Sequence, residues 1–269
     1  MSGLAARLAT VLGAPVSGLA RIGGGDLSEV WQARDGDGRG IIVKRAAGAR
    51  TEAVMLAAIE AAGCPVPRVL HGGSGLLVME RLPSGHRPGT AGWAGFGAAA
   101  ATLHAATGPR YGWSENHAFG PVAIPNAAAP DWPAFWAERR LLAAPEALPA
   151  EIARRLDSLA ARLPELLPQA PRPALLHGDL WIGNALFGPD GFSGLIDPAC
   201  SWGDPEVDLA MLALFASPPP AFFDAYGPLP PGAAERVPLY QLWPALVHLR
   251  LFGAGYRDLV EGLLRAVGA

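Results

Sequence analysis

Asp179, Asn184 and Asp197 are the residues of this chain whose types and spacing can do chemistry. Asp179 and Asn184 lie five apart in His177-Gly178-Asp179-Leu180-Trp181-Ile182-Gly183-Asn184, and Asp197 follows thirteen residues later in Ile196-Asp197-Pro198-Ala199. Phosphoryl transfer from a nucleotide asks for such a set. One carboxylate orients or deprotonates the attacking hydroxyl, while a side-chain oxygen and a second carboxylate hold Mg²⁺ against the triphosphate. Asp179 is the candidate base. Its pKa need not be raised, because the transition state is loose and positioning dominates. Asn184 and Asp197 offer hard oxygen ligands, which suit Mg²⁺ rather than zinc. His177, in an apolar flank, reads as a hydrogen-bonded structural group.

Other candidates carry two readings each. Gly23-Gly24-Gly25 can bring backbone N–H groups close to phosphates, or simply turn a hairpin. Lys44 ends the β-branched run Ile41-Ile42-Val43, where a lysine is either a solvated strand end or a phosphate ligand. Glu52, eight residues on, either orients that lysine or complements a helix dipole. Met79-Glu80-Arg81-Leu82 is a strand running out into a linker, whose backbone can hold an adenine. Trp181, beside the base, either stacks on a substrate or packs in the core. Gly203-Asp204-Pro205-Glu206-Val207-Asp208 enters a helix. Asp208 reads as capping that helix, while Asp204 and Glu206 either do the same or face a cationic substrate.

The elements around these residues fall into two groups. Residues 2–12 have a helical period, with Leu4, Leu8 and Leu12 on one face. Then come strand, glycine turn and strand (21–33), a hairpin signal at Asp35-Gly36-Asp37-Gly38, and a strand over 40–45. A helix over 51–62 follows, with Thr51 as its cap and Gly63 as its stop. Strands at 66–70 and 75–79 complete the series. The reading is a small antiparallel sheet with one main helix. From Thr90 the chain is mainly helical, with helices over 92–106, 132–142, 150–163, 206–215, 221–226 and 238–256, and short strands between Ala174 and Asp197. The fold class is α+β, with an ATP-binding lobe over 1–82 and a catalytic and substrate-binding lobe over 83–269.

Composition removes several alternatives. Net charge is −3, so no basic excess argues for nucleic acid or an acidic membrane surface. Two cysteines, Cys64 and Cys200, have no metal-type spacing and fit a reducing cytoplasm. No uninterrupted apolar run reaches membrane-spanning length. The first residues show no basic region followed by an apolar run, so no signal peptide is expected.

His-Gly-Asp with Asp-Pro-Ala is worded differently from the His-Arg-Asp and Asp-Phe-Gly of protein kinases and points toward kinases of small molecules. The chain resembles the fructosamine kinase (ketosamine-3-kinase) family, a branch of the aminoglycoside phosphotransferase-like kinases, over nearly its whole length. The resemblance is carried by Gly23-Gly24-Gly25-Asp26, Val43-Lys44, Leu77-Val78-Met79-Glu80, Leu103-His104 and Gly112-Trp113. Further marks are Asp131-Trp132, the 176–184 and 196–199 segments, Glu206-Val207-Asp208-Leu209-Ala210-Met211, and His248-Leu249-Arg250-Leu251-Phe252-Gly253-Ala254-Gly255-Tyr256. It implies a protein-kinase-like two-lobed fold and ATP- and Mg²⁺-dependent phosphorylation of the 3-hydroxyl of a ketosamine. The 3-phosphate then eliminates and frees the amine of a small molecule, a glycated lysine or a protein. By matching position Asp179 is the base, and Asn184 and Asp197 hold Mg²⁺. Lys44, Glu52 and residues 79–82 serve ATP. Ser201-Trp202 and Pro205 stand where the family tends to have tyrosines and an arginine, and Val247 where it has an asparagine; these alter the sugar pocket. The glycine-rich loop lacks the cysteine some members use for redox dimerisation, so a monomer without such a switch is expected. The alternative within this fold is a kinase of an aminoglycoside or a choline-like amine.

Overall fold

The computed structural model describes residues 2–23, 29–73 and 75–269. Helix α1 (Ser2–Leu12) leads into strands β1 (Ser17–Gly23), β2 (Glu29–Arg34) and β3 (Gly40–Arg45). Helix α2 (Ala49–Ala61) and strands β4 (Val69–Gly73) and β5 (Leu76–Glu80) follow. The strands form one antiparallel sheet in the order β1-β2-β3-β5-β4. Alternation along β3 decides what each face does. Ile41 and Val43 point to the face covered by α1, where they pack with Leu8, Leu76 and Val78. Ile42 points the other way, with Leu77 and Met79, under Ala49 and Leu56 of α2. Lys44 has the parity of Ile42, so the period of the strand sends it to the α2 face.

Several boundaries differ from the sequence reading. Helix α2 begins at Ala49, with Gly48 rather than Thr51 as its cap. Ala49 is fully buried, and the Gly48 carbonyl accepts the Glu52 N–H at 2.9 Å, so packing against the sheet extends the helix backward. Strand β4 starts at Val69 rather than Val66. Pro65 and Pro67 cannot donate to a ladder, and the Pro65 carbonyl instead accepts the Leu195 N–H at 2.9 Å. At Gly72 a Cβ would lie 2.2 Å from the Ala53 methyl carbon, so α2 and β4 approach as closely as they do only because that position is glycine.

The second lobe begins with α3 (Thr90–Ala105) and a short hairpin, β6 (His117–Phe119) and β7 (Val122–Ile124). Helix α4 (Trp132–Trp136), a π-helical turn (Ala137–Leu141), α5 (Ala150–Ala160) and α6 (Leu163–Leu166) come next. Four short strands frame the segment with Asp179, Asn184 and Asp197: β8 (Ala174–Leu176), β9 (Ala185–Gly188), β10 (Gly191–Leu195) and β11 (Ser201–Gly203). Strand β9 pairs with β10, and β8 with β11. Helices α7 (Glu206–Phe215), α8 (Pro220–Tyr226), α9 (Ala233–Phe252) and α10 (Arg257–Ala266) complete the chain. Helix α9 starts five residues before the expected Pro238 and contains Pro238 and Pro244 in its interior. Helix α10 lies beyond the expected elements. Its Val260, Leu263 and Leu264 are buried at helical spacing, a signal obscured by the glycines at 253 and 255 just before it. Among the described residues no helix is long and apolar enough to cross a membrane.

Candidate active site

The lysine of β3 meets two carboxylates. Lys44 Nζ lies 2.8 Å from Glu52 Oε2 and 2.9 Å from Asp197 Oδ1. Strand parity and the early start of α2 bring Glu52, in the first turn of the helix, over the strand. The eight-residue separation thus closes a direct ion pair, and neither residue is a solvated strand end or a plain dipole partner. Both side chains of the pair are nearly buried, at 12% and 8% exposure, whereas Asp197 is 44% exposed. The neighbouring carboxylates hold the Lys44 ammonium above its ordinary range against the opposing effect of burial. Burial and Asp197 push Glu52 up to about 7, although Lys44 pulls it down.

Asp179 and Asn184 are locked together. The short helical turn Ile182–Asn184 returns the chain, so that Asn184 Nδ2 donates to both the backbone carbonyl and Oδ2 of Asp179, each at 2.9 Å. That orientation leaves Asn184 Oδ1 without a donor among the described residues. Asp197 has the one positive φ (56°) of a non-glycine among them, a left-handed conformation that aspartate tolerates. An amide oxygen and a half-exposed carboxylate are a small hard-donor set of the kind Mg²⁺ takes together with phosphates and water. Among the described residues no cluster of three His, Cys, Asp or Glu side chains is placed to hold a metal. Burial raises Asp179 to about 7, with Asp197 and Asp208 adding and Asn184 opposing. The sequence reading asked for no such rise.

The loop carrying Asp179 is held from behind. Asp208 is fully buried and accepts the N–H groups of His177 (2.6 Å) and Gly178 (2.9 Å), and contacts His104 Nε2 at 3.1 Å. His104 Nδ1 reaches the Tyr226 hydroxyl at 2.9 Å. Asp208 is therefore an anchor of the loop carrying Asp179 and not a helix cap, a correction that follows from its backward aim. Gly178 has φ +80°, and a Cβ there would lie 2.0 Å from the Ala199 carbonyl oxygen. His177 is structural, as read: the Asp179 N–H points at its Nδ1 (3.3 Å), which leaves Nε2–H to donate to the Ile196 carbonyl (3.0 Å). Burial holds its pKa below the ordinary value.

The remaining candidates separate. Asp204 accepts the Glu206 N–H (3.0 Å) and the Tyr240 hydroxyl (2.8 Å), which in turn accepts from Trp132 Nε1 (2.9 Å). Glu206 takes a two-pronged pair from Arg236 at 2.6 and 2.8 Å. Both carboxylates face inward with their partners supplied, so neither is free for a cationic substrate. Trp181 is 36% exposed and meets Phe215 edge to face at 6.1 Å. In the linker, the Glu80 and Arg81 N–H groups go to Arg68 and Gly40 (both 3.0 Å), and Met79 is within β5. The N–H and carbonyl of Leu82 have no partner among the described residues. Gly23 ends β1 opposite Val30; Gly24 and Gly25 lie outside the described residues. Cys64 and Cys200 are both buried, and burial pushes the Cys64 thiol up to about 12.

A cavity opens beside Asp179, lined by Phe119, Val207, Met211, Trp243, Val247 and His248. Phe119 carries no local signal in the sequence; His104 enters only through the Leu-His segment of the family resemblance, and Asp208, which reads as a helix cap, is an anchor of the loop.

Comparison with known proteins identifies the family. A sequence model of the fructosamine kinase family matches residues 2–268. A probable ketoamine kinase of Thermus thermophilus is 36% identical over 258 residues, covering 91% of each chain. One from a Synechocystis strain is 38% identical over 212 residues, covering 74% of this chain and 71% of its own. Among solved structures, a protein from Thermobifida fusca named as a fructosamine-3-kinase superposes with a TM-score of 0.91 at 33% identity, covering 99% of both chains. The aminoglycoside phosphotransferase APH(4)-Ia, solved with AMP-PNP and hygromycin B, superposes at 0.69 with 20% identity over 99% of both, a likeness of fold alone. The chain thus has the protein-kinase-like two-lobed fold, belongs to the fructosamine kinase family, and is an ATP-dependent phosphotransferase.

Proposed function

We propose that the protein phosphorylates the 3-hydroxyl of ketosamines, adducts of a sugar with an amine or a lysine, and so initiates their deglycation. The observation that carries this reading is the cavity holding Asp179, apolar apart from Asp179 and His248 and walled by Phe119, α7 and α9 of a fructosamine kinase family member. Residues 1–82 form the nucleotide side, with Lys44 and its partner Glu52 addressing the phosphates and the free backbone of Leu82 addressing the adenine. Residues 83–269 form the acceptor side. Asp179 receives the proton of the attacking hydroxyl. Asn184 Oδ1 and Asp197 would hold Mg²⁺, whose chemistry there would be to neutralise charge on the phosphates. Val247, on the cavity wall where an asparagine was expected, and the part-exposed Trp181 tune the choice of sugar. The working unit is a monomer in the cytoplasm, without a redox-switched dimer.

ATP consumption with Mg²⁺, measured side by side on ribuloselysine, fructoselysine and an aminoglycoside, tests the proposal. Turnover of a ketosamine with phosphate on the sugar 3-oxygen is the expected result. Turnover of the aminoglycoside alone would overturn it and leave the fold and catalytic residues in place.

A further inference from the structure

Strand β6 joins the two halves of the reaction site. Residues two apart on a strand share a face, and His117 and Phe119 do so here: their rings meet edge to face at 6.0 Å, while Ala118 between them points outward. Phe119 lines the cavity that holds Asp179. His117 reaches the other lobe. A Cβ on Gly48, the residue capping α2, would stand 3.6 Å from His117 Cε1. The same imidazole is close enough to Lys44 for the ammonium to depress its pKa, second only to burial. Among the described residues the His117 ring has no hydrogen-bond partner. The hairpin is fixed at its base rather than loose. Asn126 donates to Asn116 Oδ1 (2.9 Å) and to the Glu115 carbonyl (3.1 Å), and buried Arg140 in turn donates to Asn126 Oδ1 (3.0 Å).

A half-buried imidazole without a hydrogen-bond partner among the described residues thus stands next to Phe119, which lines the cavity of Asp179, and next to Gly48 at the start of α2, whose Glu52 pairs with Lys44. We propose that His117 belongs to the phosphoryl-transfer site, its N–H hydrogen-bonding an oxygen of the nucleotide's terminal phosphate. The proposal rests on the chain being an ATP-dependent phosphotransferase and not on which acceptor it uses. In the transfer, the acceptor oxygen bonds to phosphorus and gives its proton to Asp179. The bond from phosphorus to the bridging oxygen breaks, and its electron pair leaves with ADP. His117 keeps its proton throughout and stabilises charge spread over the equatorial oxygens.

Calorimetric titration of wild type, H117A and H117N with Mg-ADP and Mg-AMP-PNP tests this. The expected result is an unchanged ADP affinity in H117A, an AMP-PNP affinity weakened about tenfold, as for a hydrogen bond to a charged group, and recovery in H117N. Equal affinities of wild type and H117A for AMP-PNP, or equal losses for both nucleotides, would overturn it. A second readout needs no variant: in wild type, the His117 ring resonances should shift with Mg-AMP-PNP and not with Mg-ADP. The same shift with both nucleotides, or with neither, would count against the proposal. Failure of wild type to bind either nucleotide would sink the nucleotide site together with the proposal, whereas loss of ketosamine turnover with the AMP-PNP effect intact would touch only the acceptor.

Discussion

Asn184 donates twice to Asp179, once to its backbone and once to its carboxylate, each at 2.9 Å. The first bond fixes the loop, and the second aims Oδ2 and stabilises its charge. The two jobs can be separated. In Asp179→Asn the backbone bond persists while the proton acceptor is gone. We expect kcat to fall about 10²- to 10⁴-fold, the usual contribution of a general base, with ATP binding retained. Steady-state kinetics alongside nucleotide titration checks this; near-normal kcat would remove Asp179 from the role of base.

Glu52→Gln keeps the shape of the pair with Lys44 and removes its charge. Loss of a charge-assisted bond is worth about 1.5–3 kcal/mol, so kcat/KM for ATP should fall roughly ten- to a hundredfold. Asp197 still holds the lysine at 2.9 Å, and the fold should survive. Unchanged kcat/KM with normal thermal stability would show that Asp197 alone positions Lys44.

Gly178→Ala meets two obstacles, a left-handed backbone and the Ala199 carbonyl oxygen 2.0 Å from the new carbon. The loop must move, and with it the N–H groups held by Asp208. Activity should be abolished and Tm lowered by several degrees, which thermal unfolding and the ATP assay read together. Gly178→Ala with wild-type Tm and kcat would show that the loop tolerates the shift.

Burial raises Asp179 and Glu52 to about 7 from ordinary values of 3.8 and 4.5. Between those limits the folded state binds more protons than the unfolded one, so these groups favour folding on the acid side and lose that contribution as pH rises toward 7. The half-buried His117 and the buried His177, held below their ordinary value, act in the opposite sense. Comparison with Asp179→Asn isolates the carboxylate. From about pH 5.5 to 8 without Mg²⁺, Tm of wild type should fall relative to that of the variant; parallel curves would contradict the raised value.

Much of this was legible in the chain. The β-β-β-α-β-β order, the strand under Lys44 and the spacing of Asp179, Asn184 and Asp197 needed only local periodicity and the demands of the chemistry. What stayed hidden depends on long-range packing. Asp208 looks like any acid near a helix start until the helix is laid behind the loop. Asp204 and Glu206 look solvent-facing until Tyr240 and Arg236, both on α9, fold over them. Phe119 lies in a loop-rich stretch without periodicity, and no local signal aims it at Asp179.

Helix α2 belongs to two cores at once. Its Ala49 and Leu56 pack with the sheet, while Met55 and Ile59 pack with Phe96, Leu180, Leu195 and Leu212 of the helical lobe. The seam between the lobes therefore does not coincide with a seam in folding. Severing the chain near residue 82 would strip an apolar face from each product, so neither piece is an autonomous unit, and heat or denaturant should melt the molecule in a single cooperative transition.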